Sequence, residues 1–516
     1  MCKPTMTKVL VTGTVGAVLL VFGCVLIPVG EDIVRGFVIA DVVIENGTTA
    51  YESWLVPPTP VFMQFWFWDL TNPEEFLNGG VPFLEEKGPY TYQEFRAKEN
   101  ITWNEDNTVS FNPKTKYVFR EDLSVGPDTD LFTTVNLPAI TLANLAENDP
   151  TLEAIEFVLN TLSGASTVIE IPVGGMIWGY EDAYLKLLEP FLEDSGISTK
   201  FGIFMGSNDT LEETWTVNTG KGDINLLGEV EEWDGKTSLE WWSTDEANMI
   251  NGTDGTAFRP FLTPDDQLYV YVDDLCRSGF LSYDYSGSIR GIPVSHFSVP
   301  DLLYANVSYY PDNLGFCTPP GNLPCVPNGL LNVSNCQPGN APIYFSSPHF
   351  LYGDPSLFEA VHGMNPVRPE HETSFDVEML TGIAFQVHNR LQINVKVDSN
   401  LQMRDARQIS EAYFPIFWLN ESSVVDEANA DFFISDALVP QYILFGLIVL
   451  LIAVGGGLFL GAVATVIIVQ CDKRHYRRHL YGCNFPPFRP VSTFKGAIAS
   501  QKDSLLDGEK RRLDTM

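Results

Sequence analysis

The chain has 516 residues, 45% of them apolar, and its 31 Lys plus Arg against 66 Asp plus Glu leave a formal charge of −35. That apolar share excludes a disordered chain. The acidity speaks against a nucleic-acid partner, because a phosphate backbone is bound by clustered Lys and Arg.

In chain order, the first feature is an uncharged run of 22 residues, Val9 to Gly30, bounded by Lys8 and Glu31. A bilayer-crossing helix needs about 20 apolar residues. The run exceeds the apolar stretch of a cleaved signal peptide, and no small-x-small cleavage site follows it. It reads as a retained anchor.

Strand signals dominate what comes next. Val61 to Trp68 is apolar or aromatic on both faces except at Gln64, which predicts a buried central strand. It stops at the turn pair Asn72-Pro73, and Gly88-Pro89 introduces a strand around Tyr90-Thr91-Tyr92. Leu268–Val272, Gly291–Val299, Ile343–Phe345 and Leu391–Val397 predict further strands. Between them, Leu137 to Leu192 has a helical pattern. Asp149-Pro150 makes a cap and first turn, Leu152, Ile155, Leu159 and Leu162 share one face, and Ser163-Gly164 closes the helix. That stripe packs on neighbouring helices or forms a docking surface, with Glu147, Asp149, Glu153 and Glu156 on the polar side. No tandem repeat or long linker divides the region, so one β-rich domain of about 400 residues is the economical reading.

A second uncharged run, Ala437 to Cys471, is 35 residues long. Lys3 and Lys8 precede the first run, and Lys473, Arg474, Arg477 and Arg478 follow the second. Basic flanks stay cytosolic. The expected order is a cytosolic terminus over 1–8, a membrane helix over 9–30, an outer domain over 31–438, a second membrane helix over 439–470 and a cytosolic tail over 471–516. On that division the outer domain carries −42 and the ends +7. Such a basic rim suits anionic inner-leaflet lipids.

Four of the eight cysteines, Cys276, Cys317, Cys325 and Cys336, lie in the outer domain. With no CxxC pair and no nearby His they read as two disulfides, with three pairings open. Cys2, Cys471 and Cys483, near the membrane, are candidates for S-palmitoylation. Glycosylation sequons start at Asn46, Asn100, Asn208, Asn251, Asn306, Asn332 and Asn420, all in the outer domain.

The sequence has no GxSxG, HExxH, Walker A or GxGxxG pattern. The outer-domain histidines, at 296, 349, 362, 371 and 388, are too widely spaced to suggest a metal-binding pair. His371-Glu372 reads as a solvated structural pair. Asp265-Asp266 and Asp273-Asp274 lack EF-hand spacing. The expectation is a protein without catalytic residues, metal or cofactor.

An ordered set of short motifs runs along nearly the whole chain. These are Asn46-Gly47-Thr48, Gln64-Phe65-Trp66-Phe67, Asn72-Pro73-Glu74-Glu75 and Gly88-Pro89-Tyr90-Thr91-Tyr92, then Trp178-Gly179-Tyr180, Asn248 to Asp254, Cys276-Arg277-Ser278, Pro348-His349-Phe350 and Trp418-Leu419-Asn420-Glu421. In this order they resemble the class B scavenger receptors. Trp233 to Leu239 with Trp241-Trp242, and the count of four outer cysteines, look most like the lysosomal member. The resemblance implies a β-rich α+β fold, with an antiparallel β-barrel core, an apical helical bundle and two flanking transmembrane helices. It implies bridges Cys276–Cys336 and Cys317–Cys325, and an apolar tunnel that delivers lipid to the bilayer. Implied partners are lipids, lipoproteins or a protein docked on the apical helices, with Leu152, Ile155, Glu156, Leu159 and Leu162 as the docking face. An oligomer is compatible with this reading, and the implied location is the plasma membrane, the lysosomal membrane or both.

Three departures sharpen the expectation. No basic residue lies between Arg120 and Lys186, so the apex lacks the lysines by which scavenging members attract anionic lipoproteins. No His lies between Leu137 and Leu192, so the lysosomal member's histidine switch has no counterpart there. Leu505-Leu506 has Gln501, not an acid, four positions before it, so it departs from a dileucine sorting signal. The expected function is a receptor that binds lipid or lipoprotein and passes lipid inward. The alternative is a lysosomal receptor that sorts a hydrolase.

Overall fold

The computed structural model describes residues 5–146, 166–183, 185–186, 199–317, 325–337, 340–399, 403 and 405–480. They fall into two compact units, residues 1–30 with 443–516, and residues 31–442.

The larger unit is built on one antiparallel sheet. Its main path uses β1 (Val61–Leu70), β2 (Leu84–Trp103), β3 (Thr108–Phe119), β4 (Trp215–Asn218), β5 (Val230–Trp233), β6 (Gln267–Val272), β7 (Arg277–Ile289), β8 (Ile292–Ser298), β9 (Ser374–Glu378), β10 (Ile383–Val397) and β11 (Ala412–Val424). Along the sheet the order is β5-β4-β3-β2-β1-β11-β10-β9-β8-β7-β6. Two consecutive meanders are thus joined by pairing of the first and last strands, Phe65 opposite Leu419 and Trp66 opposite Trp418.

The remaining gap is bridged by an irregular segment. Val230 N donates to Gly252 O (2.9 Å), Thr253 N to Tyr269 O (3.0 Å) and Tyr271 N to Thr253 O (2.9 Å). Thr253 bridges both Glu229 and Val270. Gly252 has φ +98°, and a Cβ there would collide with the backbone of Tyr269. Only glycine lets the segment approach so closely. The sheet is therefore a nearly closed barrel, with few edge groups left unpaired.

The predicted strand Val61–Trp68 lies within β1, between β2 and β11. Phe65 and Phe67 of its inner face are fully buried with Phe111, Val217 and Phe417 in the main core. On its outer face Trp66 stacks on Trp418, ring centroids 3.8 Å apart.

The stretch predicted as helical from 137 to 192 is mixed. Helix α2 (Leu137–Ala146) follows an N-cap in which Asn136 Oδ1 accepts from Ala139 N at 3.1 Å. Val168–Pro172, however, is a strand paired with Leu131–Val135. Its β-branched residues fit a pleated sheet better than a helix. Residues 147–165, which hold Leu152, Ile155, Glu156, Leu159 and Leu162, lie outside the described residues, as do Cys2, Cys483 and Leu505-Leu506.

The smaller unit contains the apolar parts of two long helices, α1 (Met6–Val42) and α3 (Val439–Leu480), each long and apolar enough to cross a membrane. Glycines set their contact. A Cβ at Gly16 would lie 2.5 Å from Phe459 N, and one at Gly455 would lie 2.5 Å from Leu20 N. Small residues let two membrane helices approach backbone to backbone.

Candidate functional site

The inner face of β2 changes character along its length. Tyr90, Tyr92 and Glu94 are buried, and Arg96 and Lys98 follow with the same two-residue period, whereas Phe95 on the opposite face is 52% exposed. At one end the inner wall is aromatic. Phe65 packs against Tyr92, Phe204 and Phe417, and Phe67 against Tyr90 and Phe132. Further along it is ionic.

The ionic part has a defined geometry. Arg96 Nε donates to Glu94 Oε2 (2.5 Å) and Nη2 to Glu421 Oε1 (2.6 Å). Lys98 Nζ donates to Trp54 O (3.1 Å), sits 3.7 Å from Asp254 Oδ2 and lies over the Trp54 and Phe111 rings. Glu94 Oε1 is buried without a hydrogen-bond partner.

Acid outweighs base in this interior. Burial, then the charges of Asp274 and Glu212, pushes Asp273 well above the carboxylate range. Asp274 is raised by burial and by Glu421, and Glu212 by burial and by Asp274. Glu94 rises through burial although Arg96 opposes it. Asp274 is nonetheless exposed by surface area, and Arg96 keeps 33% of its side-chain surface accessible. A group that is both accessible and desolvated borders space enclosed by protein rather than bulk water. The cluster therefore lines an internal polar chamber, next to the aromatic wall. Such a chamber can take up protons and hold the polar end of an apolar guest.

A second ionisable group lies on the far side of the sheet. His349 Nε2 is 2.8 Å from Glu86 Oε2, and its ring stacks on His371 with centroids 4.0 Å apart. Both Nδ1 atoms accept backbone N–H groups, from Asn365 and Val367. His371 is pushed down to about 3 by burial, His349 and Arg390. His296 is raised to about 9 by hydrogen bonds to Asp376 and Glu372.

Two sequence expectations change here. The fold brings together two histidines that are 22 positions apart in the chain. His371-Glu372 is a buried pair, not a solvated one. The two side chains diverge, His371 to His349 and Glu372 to Arg368 (2.7 Å). Among the described residues no group of three or more His, Cys, Asp or Glu is arranged to hold a metal.

The remaining sequence-derived positions are placed as follows. Disulfides join Cys276 to Cys336 and Cys317 to Cys325. Asn46, Asn100, Asn208 and Asn251 are exposed, and Asn306 and Asn332 are half-buried. Asn420 is buried, with Nδ2 donating to Gln64 Oε1 (3.1 Å), a contact that a glycan on that nitrogen would have to replace. Cys471 is exposed on α3. Sequence reasoning missed Glu94, Arg96, Asp273 and Asp274 as a site. The signal was the inverted alternation Glu94-Phe95-Arg96-Ala97-Lys98.

Comparison with known proteins agrees with this architecture. The CD36 family model matches residues 14–466. Lysosome membrane protein 2 of Mus musculus is 41% identical over 76% of this chain and 80% of its own length, and that of Homo sapiens is 41% identical over 75% and 80%. Scavenger receptor class B member 1 of Rattus norvegicus is 34% identical over 87% of each chain. These relatives carry the names of a membrane protein and a receptor, not of an enzyme. The match spans the β-barrel and most of both apolar helices, and the chain belongs to the CD36 family.

Proposed function

We propose that this protein is an integral membrane receptor, without catalytic activity, that binds lipids or lipoproteins and passes lipid through its barrel to the bilayer. Both termini are cytosolic in this reading, and the barrel faces the cell exterior or a lumen. One observation carries it: the aromatic inner wall at Phe65, Phe67, Tyr92 and Phe417 adjoins the accessible, desolvated chamber at Arg96 and Asp274. An acyl chain or sterol gains about 0.8 kcal/mol for each CH₂ taken out of water. Movement along such a wall to a membrane is downhill partitioning and needs no chemical step. The polar chamber would accept the guest's hydroxyl or carboxyl end. The scavenger receptor relative supports the receptor role.

The test is uptake of fluorescent cholesteryl ester and fatty acid by cells expressing the full chain. Asp274→Trp, which fills the chamber, should lower uptake severalfold, while Asp274→Asn should leave it near wild type. Wild-type uptake equal to that of untransfected cells would overturn the proposal.

A second reading is favoured by the lysosome membrane protein relatives at 41% identity. Here the protein resides in the lysosomal membrane and docks a luminal hydrolase on its apical helices. The raised carboxylates of the chamber suit an acidic lumen, where protonation removes their mutual repulsion. Lysosomal residence with co-precipitation of a hydrolase distinguishes this role from the first.

A further inference from the structure

Arg277 begins β7 directly after the bridged Cys276 and is 6% exposed. Its Nε donates to Ser278 O (3.1 Å), its Nη1 to Leu303 O (3.1 Å), and the guanidinium carbon lies 3.5 Å from the centre of the Phe316 ring. Those contacts orient the group without neutralising it. Arg96, Arg259 and Arg368 each pair with a carboxylate. Arg277 pairs with none among the described residues. Nor does the segment between Cys317 and Cys325, Thr-Pro-Pro-Gly-Asn-Leu-Pro, contain an acid. Burial pulls its pKa down to about 10, opposed only by Tyr304 and Tyr310. A buried unpaired charge is costly, and proteins seldom keep one without a counter-charge.

The same guanidinium lines a half-open cavity of about 300 Å³. Leu303, Phe316 and Leu331 make its walls apolar, and Val307 stands among the lining residues. The amides of Asn306 and Asn313, also on the wall, are already committed to backbone carbonyls, of Val326 (2.7 Å) and of Leu302 and Ala305 (2.9 and 2.8 Å). That leaves Nη2 of Arg277 as the donor without a partner among the described residues.

We propose that this cavity binds a small carboxylate, its oxygens on Nη2 of Arg277 and its short apolar tail along Leu303, Phe316 and Leu331. A guanidinium presents its N–H groups in a planar fork that matches a carboxylate, and such charge-assisted bonds are stronger than neutral ones. A bare halide would leave the apolar walls uncovered. A phosphate dianion would overcompensate one positive charge and find no second cation. The guest is either a free short-chain acid or the carboxyl end of a longer fatty acid, and the two share this recognition chemistry.

Butyrate binding to the full chain in lipid nanodiscs, measured by saturation-transfer NMR, tests the site. Butyramide serves as the neutral control and oleate as competitor. Wild type should bind butyrate and not butyramide, and Arg277→Gln should weaken butyrate at least tenfold. Because Arg277 also braces Phe316 and Leu303, a second variant leaves it in place. Val307→Phe fills the cavity, preserves the sequon at Asn306, and should cause the same loss with an unchanged thermal midpoint. Displacement of butyrate by oleate assigns the site to a fatty-acid end, and failure to displace assigns it to a free short acid. No butyrate binding to wild type, equal binding of butyramide, or unchanged binding in Val307→Phe would overturn the proposal.

Discussion

Arg96 on β2 reaches past β1 to Glu421 on β11, its Nη2 2.6 Å from Oε1, and on the way holds Glu94 Oε2 at 2.5 Å. The Glu94 side chain has no accessible surface, whereas Arg96 and Glu421 keep 33% and 21%. One cation thus serves two carboxylates across three strands of the barrel. Removing it leaves Glu94 charged and buried. Breaking a buried pair from one side costs about 3–5 kcal/mol, and the accessible part of Arg96 places this case near the lower end. Arg96→Met should therefore destabilise the barrel by roughly 3 kcal/mol in chemical denaturation. Arg96→Met with Glu94→Gln should recover part of the loss, since the stranded charge is gone. A double variant no better than the single one would show that the loss lies elsewhere.

The chamber also predicts an unusual pH dependence. Asp273, Asp274, Glu212 and Glu94 all have raised pKa values, with burial the leading cause in each. A carboxylate with a folded pKa above its unfolded one stabilises the fold at low pH. That contribution is lost as pH rises from about 4 through the raised value. His371 works the other way: held down to about 3, it contributes stability above pH 6.5 that is lost as pH falls. Comparing wild type with Asp274→Asn cancels the histidine term. The variant should gain stability at pH 7.5 relative to pH 5.0, narrowing the difference in thermal midpoint by roughly 1–3 °C. An identical difference in both proteins would show that Asp274 titrates normally.

The same residues show what a sequence can reveal. Val61–Leu70 was legible as a central strand because aromatic side chains on both faces leave a strand no place at an edge or in solvent. Barrel closure was not legible. It runs through backbone hydrogen bonds of Gly252 and Thr253, in a segment without strand periodicity. The chamber was hidden for a different reason. Alternation is normally read with Phe95 inside and Arg96 outside, and only the barrel's interior ion network reverses that assignment. Val168–Pro172 was absorbed into a helical pattern by its neighbours, although its β-branched residues argued otherwise.

The disulfides differ in the loops they close. Cys276–Cys336 spans 60 positions and Cys317–Cys325 spans 8. In the chain-entropy account, the longer closure removes more freedom from the unfolded state, about 4 kcal/mol against about 2.5. The longer bridge also anchors the core, since Trp242 Nε1 donates to Cys276 O at 2.6 Å. Replacing Cys276 and Cys336 with Ser should therefore cost more in urea unfolding than replacing Cys317 and Cys325. The reverse order would mean that strain or contacts of the short loop outweigh chain entropy.

The helix pair of the smaller unit makes the sharpest steric prediction. A Cβ at Gly13 would lie 3.0 Å from Ala462 Cβ, and one at Gly16 would lie 2.8 Å from Gly455 O, whereas at Gly457 and Gly461 nothing lies within 4 Å. Without a hydrophobic force between helices in lipid, close backbone contact supplies the attraction, so side chains at Gly16 or Gly455 should separate α1 and α3. Cysteines at positions 13 and 462, with Cys24 and Cys471 changed to Ser, should cross-link under mild oxidation in cell membranes. Adding Gly16→Leu should reduce that cross-link severalfold. Adding Gly457→Leu should not, because that position faces open space and the same bulk there meets no neighbouring helix. If both leucines reduced the cross-link equally, general disturbance of α1 or α3 would explain the loss, and glycine contact would not be what holds the pair.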